Sequence, residues 1–448
     1  MSKLEKNDLI DWFVSGEKPR EDWKIGTEHE KFVFHQNSFN RVGYFGKSGI
    51  SELLNKLAKK NNWEKILENN NTIALRDHTG ASISLEPGGQ LELSGKPLEN
   101  LHQTCKETGL HLKMMKDVMS ELGLSMIGLG YDPKWSRSDQ NWMPKGRYEI
   151  MKNYMPKVGN LGLDMMLRTC TIQVNLDYFS EKDMVQKFQI SLALQSVATA
   201  LFANSPFIEG QASGYLSSRA MVWTDTDPDR TGVPGIVFDP NFGYESWLNY
   251  ILQVPMYFIY REGKYIDVSG QSFKDFMDGK LIGFEGQYPT IKDWEDHITV
   301  AFPEVRLKQY LEMRGADGGP WNIICALPAL WVGLLYDDQS QSEAFDLAKP
   351  LMDVGMLEEG RISAAKLGLG GKIGENSIEY LATEMLKISS SGLSRRNKLD
   401  KKGIDERQFL DPLFHILQNK ETGAEKLLKN YNNSWSKDIN KIFTESSY

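Results

Sequence analysis

Residues 83–95 read ISLEPGGQLELSG. Ile83, Leu85, Leu91 and Leu93 supply the apolar alternation of a β-strand, interrupted by Pro87-Gly88-Gly89, while Glu86, Gln90 and Glu92 add carboxylate and amide oxygen. The plain reading of such residues is the wet face of a half-exposed antiparallel sheet. The Pro-Gly-Gly element is expected to bend the strand so that Glu86 and Glu92 approach one another, with glycine letting the backbone come close.

Three further stretches repeat the pattern. In GTEHEKFVF (26–34) one face begins with Glu28 and Glu30 and ends with Phe32 and Phe34. In RTCTIQVNLDY (168–178) Cys170, Ile172, Val174 and Leu176 oppose Thr171, Gln173, Asn175 and Asp177. In EVRLKQYLEMRG (304–315) Val305, Leu307, Leu311 and Met313 oppose Arg306, Lys308, Glu312 and Arg314. Successive strand residues point to opposite faces, so each stretch has one core face and one polar face.

Between the strands lie helical patterns at 98–122, 181–203 and 322–335, and from about residue 340 the chain reads as helices only. The expected fold is α+β: antiparallel strands with a polar face, backed by helices, with a helical C-terminal part. We read 1–448 as one catalytic domain, 1–340 bearing the sheet and 341–448 helical. The glycine-rich KLGLGGKIG (366–374) lacks the spacing of a phosphate loop and follows no strand, so it is expected to be a turn between helices.

The formal net charge of −8 argues against a nucleic-acid binder. No apolar run reaches the length of a membrane span. The N-terminal stretch lacks the apolar segment of a signal peptide and carries acidic residues that transit peptides avoid, from which a cytoplasmic protein is expected.

Suppose Glu28, Glu30, Glu86, Glu92 and Glu312 share one sheet face. Two carboxylates about 4 Å apart repel by roughly 4 kcal/mol at an effective dielectric near 20, so such a set needs cations. Hard oxygen ligands without clustered Cys or His point to Mg²⁺ or Mn²⁺, with Gln90 and Gln173 adding neutral oxygens. Magnesium takes few protein carboxylates and completes its shell with water and phosphate, so five suggest more than one ion around a nucleotide. Arg147, Arg219 and Arg314 would then neutralise a transferred phosphoryl group or grip a substrate carboxylate, as in an ATP-dependent ligase or kinase.

GTEHEKF, SLEPGGQLELSG, MPKGRYEIMKNYMPKVG, DMMLRTCTIQVNLD, FANSPF, WTDTDPDRTG and EVRLKQYLEMRGADGGPW, in that order, resemble the glutamate–cysteine ligases of the plant and proteobacterial type. The resemblance implies a glutamine-synthetase-like fold whose curved sheet holds ATP, glutamate and magnesium on its concave face. It implies that ATP phosphorylates the glutamate side chain and that the amine of cysteine displaces the phosphate, giving γ-glutamylcysteine for glutathione synthesis. On it, the five glutamates match the family's metal-binding acids and Arg314 faces the phosphate, with Gln173 and Asn175 on the same nucleotide side. Arg147 and Arg219 match the substrate site, which Met166 and Trp223 help to shape unless they are core, and Arg147 and Arg314 serve the chemistry. Cys105 and Cys325 match two segments that a redox-sensitive disulfide joins. The partners implied are small molecules, with the chain a monomer or homodimer. A related ligase using another amine, and a non-catalytic nucleotide-binding homologue, are the alternatives. His29 should point away from the glutamates, and turn chemistry accounts for Asp225 and Asp227.

Overall fold

The computed structural model describes residues 3–448. Nine strands form one sheet: β1 (Ile25–His35), β2 (Glu64–Glu68), β3 (Asn71–Arg76), β4 (Ser82–Leu85), β5 (Leu91–Ser94), β6 (Leu124–Ile127), β7 (Thr171–Leu176), β8 (Val305–Leu307) and β9 (Leu311–Asp317). Their order is β8-β9-β7-β1-β5-β4-β3-β2, every neighbour antiparallel, and β6 pairs the far end of β1. The long β1 therefore lies at the centre.

Two stretches read as single strands are hairpins. Residues 83–95 fold back at Glu86–Gln90, where the Glu86 N–H donates to the Gln90 carbonyl at 2.9 Å and the Gly89 N–H to the Glu86 carbonyl at 2.9 Å. Gly89, at φ +81°, supplies the left-handed residue that a tight reversal needs. Pro-Gly-Gly thus reverses the chain instead of bending one strand. Likewise 304–315 turns at Lys308–Tyr310, where the Lys308 N–H donates to the Tyr310 carbonyl. Both turns preserve parity, since Leu85 pairs with Leu91 and Leu307 with Leu311. Alternation in the sequence therefore gives the right faces without revealing the turns.

Seven helices matter for the site: α1 (Leu101–Glu121), α2 (Gly146–Tyr154), α3 (Gly162–Arg168), α4 (Glu181–Leu201), α5 (Ser218–Val222), α6 (Trp321–Leu335) and α7 (Ile378–Arg396). Asn100 caps α1 by accepting from the Gln103 N–H at 3.0 Å, and Ser180 caps α4 through the Asp183 N–H; each cap satisfies an N–H left unpaired in a first turn. α1, α4 and α6 cover the apolar sheet face, where Ile172, Val174, Leu311 and Met313 are buried. α2, α3 and α5 stand over the polar face. The C-terminal part is not helical throughout, because Lys372–Ile373 pairs with Asn376–Ser377 in a short hairpin inside the glycine-rich turn.

Candidate functional site

Register decides which polar residues meet. Glu28 lies opposite Gln173, Glu30 opposite Glu92, Glu92 opposite Ser84, and Glu312 opposite both Asn175 and Arg306. Directly paired residues project to the same side, so strands up to 284 positions apart in sequence place their acids on one face (from Glu28 to Glu312). They line a pocket of about 320 Å³ together with Glu86, Arg147, Arg219 and Arg314. Met166 and Trp223 also line it, while Met166 is at the same time part of the main apolar cluster and Trp223 packs against that cluster.

The five glutamates fall into two groups. Glu312 is fully buried, its Oε2 2.7 Å from Arg306 Nε and 2.9 Å from Arg314 Nη1, its Oε1 3.3 Å from Lys308 Nζ. Burial disfavours its charge, but Arg306, Lys308 and Arg314 outweigh that and hold the carboxyl well below the usual range. Glu28, Glu30, Glu86 and Glu92 have no ion pair among the described residues. Neutral donors orient three of them: Asn175 Nδ2 on Glu28 Oε1 at 2.8 Å, the Thr171 N–H on Glu30 Oε2 at 2.9 Å, and Ser84 Oγ on Glu92 Oε2 at 2.9 Å.

Electrostatics marks Glu28, Glu30 and Glu92 as uncompensated. Burial first, then Glu312 and Glu92, pushes Glu28 up to about 7. Burial, with Glu86 and Glu92 beside it, raises Glu30 well above the carboxylate range, and burial with Glu86 raises Glu92. Carboxylates tied on one oxygen, with the other unclaimed by a protein cation, suit a hard divalent cation. No three His, Cys, Asp or Glu side chains among the described residues converge closely enough to enclose an ion. Glu312 differs from the other four in being paired with three cations, although its Oε1 accepts no hydrogen bond among the described residues.

Two further expectations change. Asn175 does not line the pocket; it stands beside Glu28 and holds it. Gln90 does reach the wall, but its Oε1 accepts the Gly88 N–H at 2.9 Å and its Nε2 donates to the Met166 and Thr169 carbonyls. It therefore fastens the β4–β5 turn to α3, with its oxygen already accepting one hydrogen bond. Gln173 lines the pocket and accepts from Arg314 Nη1 at 2.7 Å. Arg219 donates from Nη2 to the Arg314 carbonyl at 2.8 Å, and Arg147 keeps a buried Nε with no partner among the described residues.

Arg306 and Lys308 were not singled out from sequence, although strand parity had placed them on the polar face. The missing signal was the hairpin, which brings residue 306 directly opposite residue 312. Phe258 and Phe302 also reach the pocket, from strands too short to stand out as a pattern. Asp227 forms a buried ion pair with Arg230 at 2.5 Å, and Asp225 caps Asn160, so neither belongs to the site. His29 is buried on the opposite face of β1, its ring 5.4 Å from that of His111. Cys105 on α1 and Cys325 on α6 are buried free thiols, and burial, with Cys325 as a further cause, pushes the Cys105 thiol up.

The fold has a counterpart among solved structures. The glutamate–cysteine ligase of Francisella tularensis, solved in complex with AMP, aligns with a TM-score of 0.54 at 13% identity, over 96% of this chain and 89% of that one. An antiparallel sheet with an acidic face, backed by helices, defines the class as the glutamine-synthetase-like ligase fold.

The family follows from sequence. The profile of glutamate-cysteine ligase family 2 matches residues 24–445, and the chain belongs to that family. It is 51% identical to the chloroplastic glutamate–cysteine ligase A of Oryza sativa subsp. indica and 51% identical to the chloroplastic enzyme of Arabidopsis thaliana. Each alignment covers 99% of this chain, and 88% and 83% of those proteins respectively. These relatives overturn the cytoplasmic expectation. Both are named chloroplastic, as is the 50% identical tobacco enzyme. Among the described residues no helix is long and apolar enough to cross a membrane.

Proposed function

We propose that the concave pocket joins the side-chain carboxylate of glutamate to the amine of cysteine at the expense of ATP, giving γ-glutamylcysteine, the first step of glutathione synthesis. The observation that carries this reading is the near-complete alignment at 51% identity with enzymes named for the reaction. The pocket supports it with four unpaired carboxylates facing a cluster of arginines.

A carboxylate does not react with an amine until one oxygen is made a leaving group. Arg314, Arg306 and Lys308, pre-assembled on Glu312, neutralise the phosphate charge as it approaches the anionic nucleophile. Arg147 and Arg219 hold amino-acid carboxylates at the other end of the pocket, where Met166 and Trp223 limit its width. Glu28, Glu30, Glu86 and Glu92 hold Mg²⁺, which when bound supplies Lewis-acid neutralisation of the triphosphate. Asn175 keeps the Glu28 carboxylate turned toward the pocket. The raised titration of Glu28, Glu30 and Glu92 agrees with a site that gains its cations together with the nucleotide.

The test is an assay of the purified chain with ATP, Mg²⁺, glutamate and a panel of amines. ADP release that depends on cysteine, with γ-glutamylcysteine formed, is the expected result; release without cysteine dependence sinks the assignment. We also assign Cys105 and Cys325 to a reversible disulfide between α1 and α6. Thiol counts before and after oxidation should fall by two in the parent and not in Cys105→Ser.

A further inference from the structure

A second pocket, of about 690 Å³, lies behind the walls of the first. Helices α2, α3 and α5 each show one face to each pocket. On α3, Met165 and Met166 line the catalytic pocket, while Asp164, Leu167 and Arg168 line the second. On α5, Arg219 faces the catalytic pocket, and Ser218, Met221 and Val222 face the second. On α2 the division is Arg147, Tyr148 and Met151 against Lys152. At 3.6 residues per turn these sets fall on separate arcs of each helix, so the helices that carry Arg147, Met166 and Arg219 are common partitions.

The lining has a definite chemistry. Leu161, Leu163, Leu167, Ile208, Met221 and Val222 make an apolar floor, and Trp142, Tyr131 and Tyr215 add flat rings. Three cations, Arg137, Lys152 and Arg168, stand against two acids, Asp164 and Glu209. Asp164 is already engaged, by Arg137, by Arg168 Nη1 at 3.0 Å and by the Tyr131 hydroxyl at 3.3 Å. Glu209 meets the same Nη1 at 3.2 Å. Arg168 is 3% exposed, yet its Nε and Nη2 have no hydrogen-bond partner among the described residues. Lys152 lies over the Trp142 ring, its ammonium 4.7 Å from the centroid. The volume is that of a small-molecule site, the balance of charge is cationic, and an aromatic ring carries one of the cations.

We infer that this second pocket binds a small organic anion with a flat apolar body, and that occupancy alters glutamate binding next door through α2, α3 and α5. The anion meets Lys152 and Arg137 while its body lies on Trp142 and the aliphatic floor. Binding draws on the second pocket alone; the effect on glutamate rests on the catalytic reading given above.

The probes are N-acetylphenylalanine, an aromatic carboxylate, and its neutral amide, each titrated calorimetrically into the full chain at saturating glutamate. The acid should bind once per chain and the amide at least about tenfold more weakly, the loss expected for a charged hydrogen-bonding partner. Lys152→Ala and Arg137→Ala, both at solvent-facing positions, should each weaken the acid about fivefold or more, and Met221→Trp should abolish binding by filling the floor while circular dichroism is unchanged. Saturating acid should shift the KM for glutamate at least about twofold in the parent and not in Lys152→Ala. Absence of binding up to about 10 mM, equal affinity in all three variants, or competition with glutamate overturns the inference. If the chain proves inactive as a ligase, the calorimetry still decides whether the pocket binds the anion.

Discussion

Among single residues, the contrast between Glu312 and the other four acids is the sharpest result. A carboxylate surrounded by three cations and one tied by a single amide look alike in a strand pattern, yet only the second is left without a protein cation. Glu30→Gln or Glu86→Gln should lower turnover by about 100-fold or more while the protein stays folded by circular dichroism, since charge stabilisation is the largest contribution such sites make. Glu312→Gln should behave differently. It strands Arg306, Lys308 and Arg314 without their anion, and breaking a buried pair on one side costs about 3–5 kcal/mol. Denaturant unfolding should register that loss, and the KM for ATP should rise in Glu312→Gln with Mn²⁺ binding, followed by electron paramagnetic resonance, unchanged. A change in Mn²⁺ affinity without a change in ATP would return Glu312 to the metal set.

For the elements, the β4–β5 turn and α3 act as one unit. A Cβ on Gly88 would meet the Leu167 carbonyl oxygen at 2.4 Å, and a backbone atom cannot swing aside as a side chain does. Gly88→Ala should therefore destabilise the protein by about 1–3 kcal/mol, as overpacking does, and should also reduce turnover by moving Glu86. Thermal unfolding and the ligase assay on the same preparation separate the two effects. The strand parity needed to place Glu86 and Glu92 on one side was legible in 83–95. Whether the chain bent or reversed was not, because a Pro-Gly-Gly element serves either geometry and the outcome depends on which strand lies alongside.

Over the whole molecule, the largest apolar cluster extends from Leu9 to Ile416 and includes the packing of α7 on α6. We propose that the chain is a single cooperative unit, so calorimetry should give one unfolding transition, and two separable transitions would divide the sheet-bearing part from the helical one. Its stability should also depend on acid. Burial pushes His297 down to about 4, with its ring nitrogen Nε2 3.0 Å from the Ile251 carbonyl, and burial drives His29 and His111 well below the ordinary imidazole value. A depressed imidazole is neutral in the native state while the unfolded chain takes up the proton. Its contribution is therefore complete above about pH 6.5 and is lost as pH falls toward 4, by roughly 1.4 kcal/mol per unit. The raised sheet carboxylates act in the opposite sense, Glu28 costing stability above about 7 and less below it. Comparison with His297→Gln isolates the imidazole: between pH 7 and 5 the variant should lose less stability than the parent.

What the sequence determined by itself is whatever has a short period. Alternation along 26–34, 83–95, 168–178 and 304–315 places Glu28, Glu30, Glu86, Glu92 and Glu312 on the polar face, and residue identity carries the family. Those signals survive without the fold because side-chain direction in a strand repeats every two residues. Tertiary structure alone decided that Glu312 is claimed by Arg306, Lys308 and Arg314, that Asn175 holds Glu28 and stands outside the pocket, and that α2, α3 and α5 divide two pockets. Each depends on register between segments far apart in the chain or on both faces of one helix being used at once, and charge compensation is set by distances across strands, which no local pattern encodes.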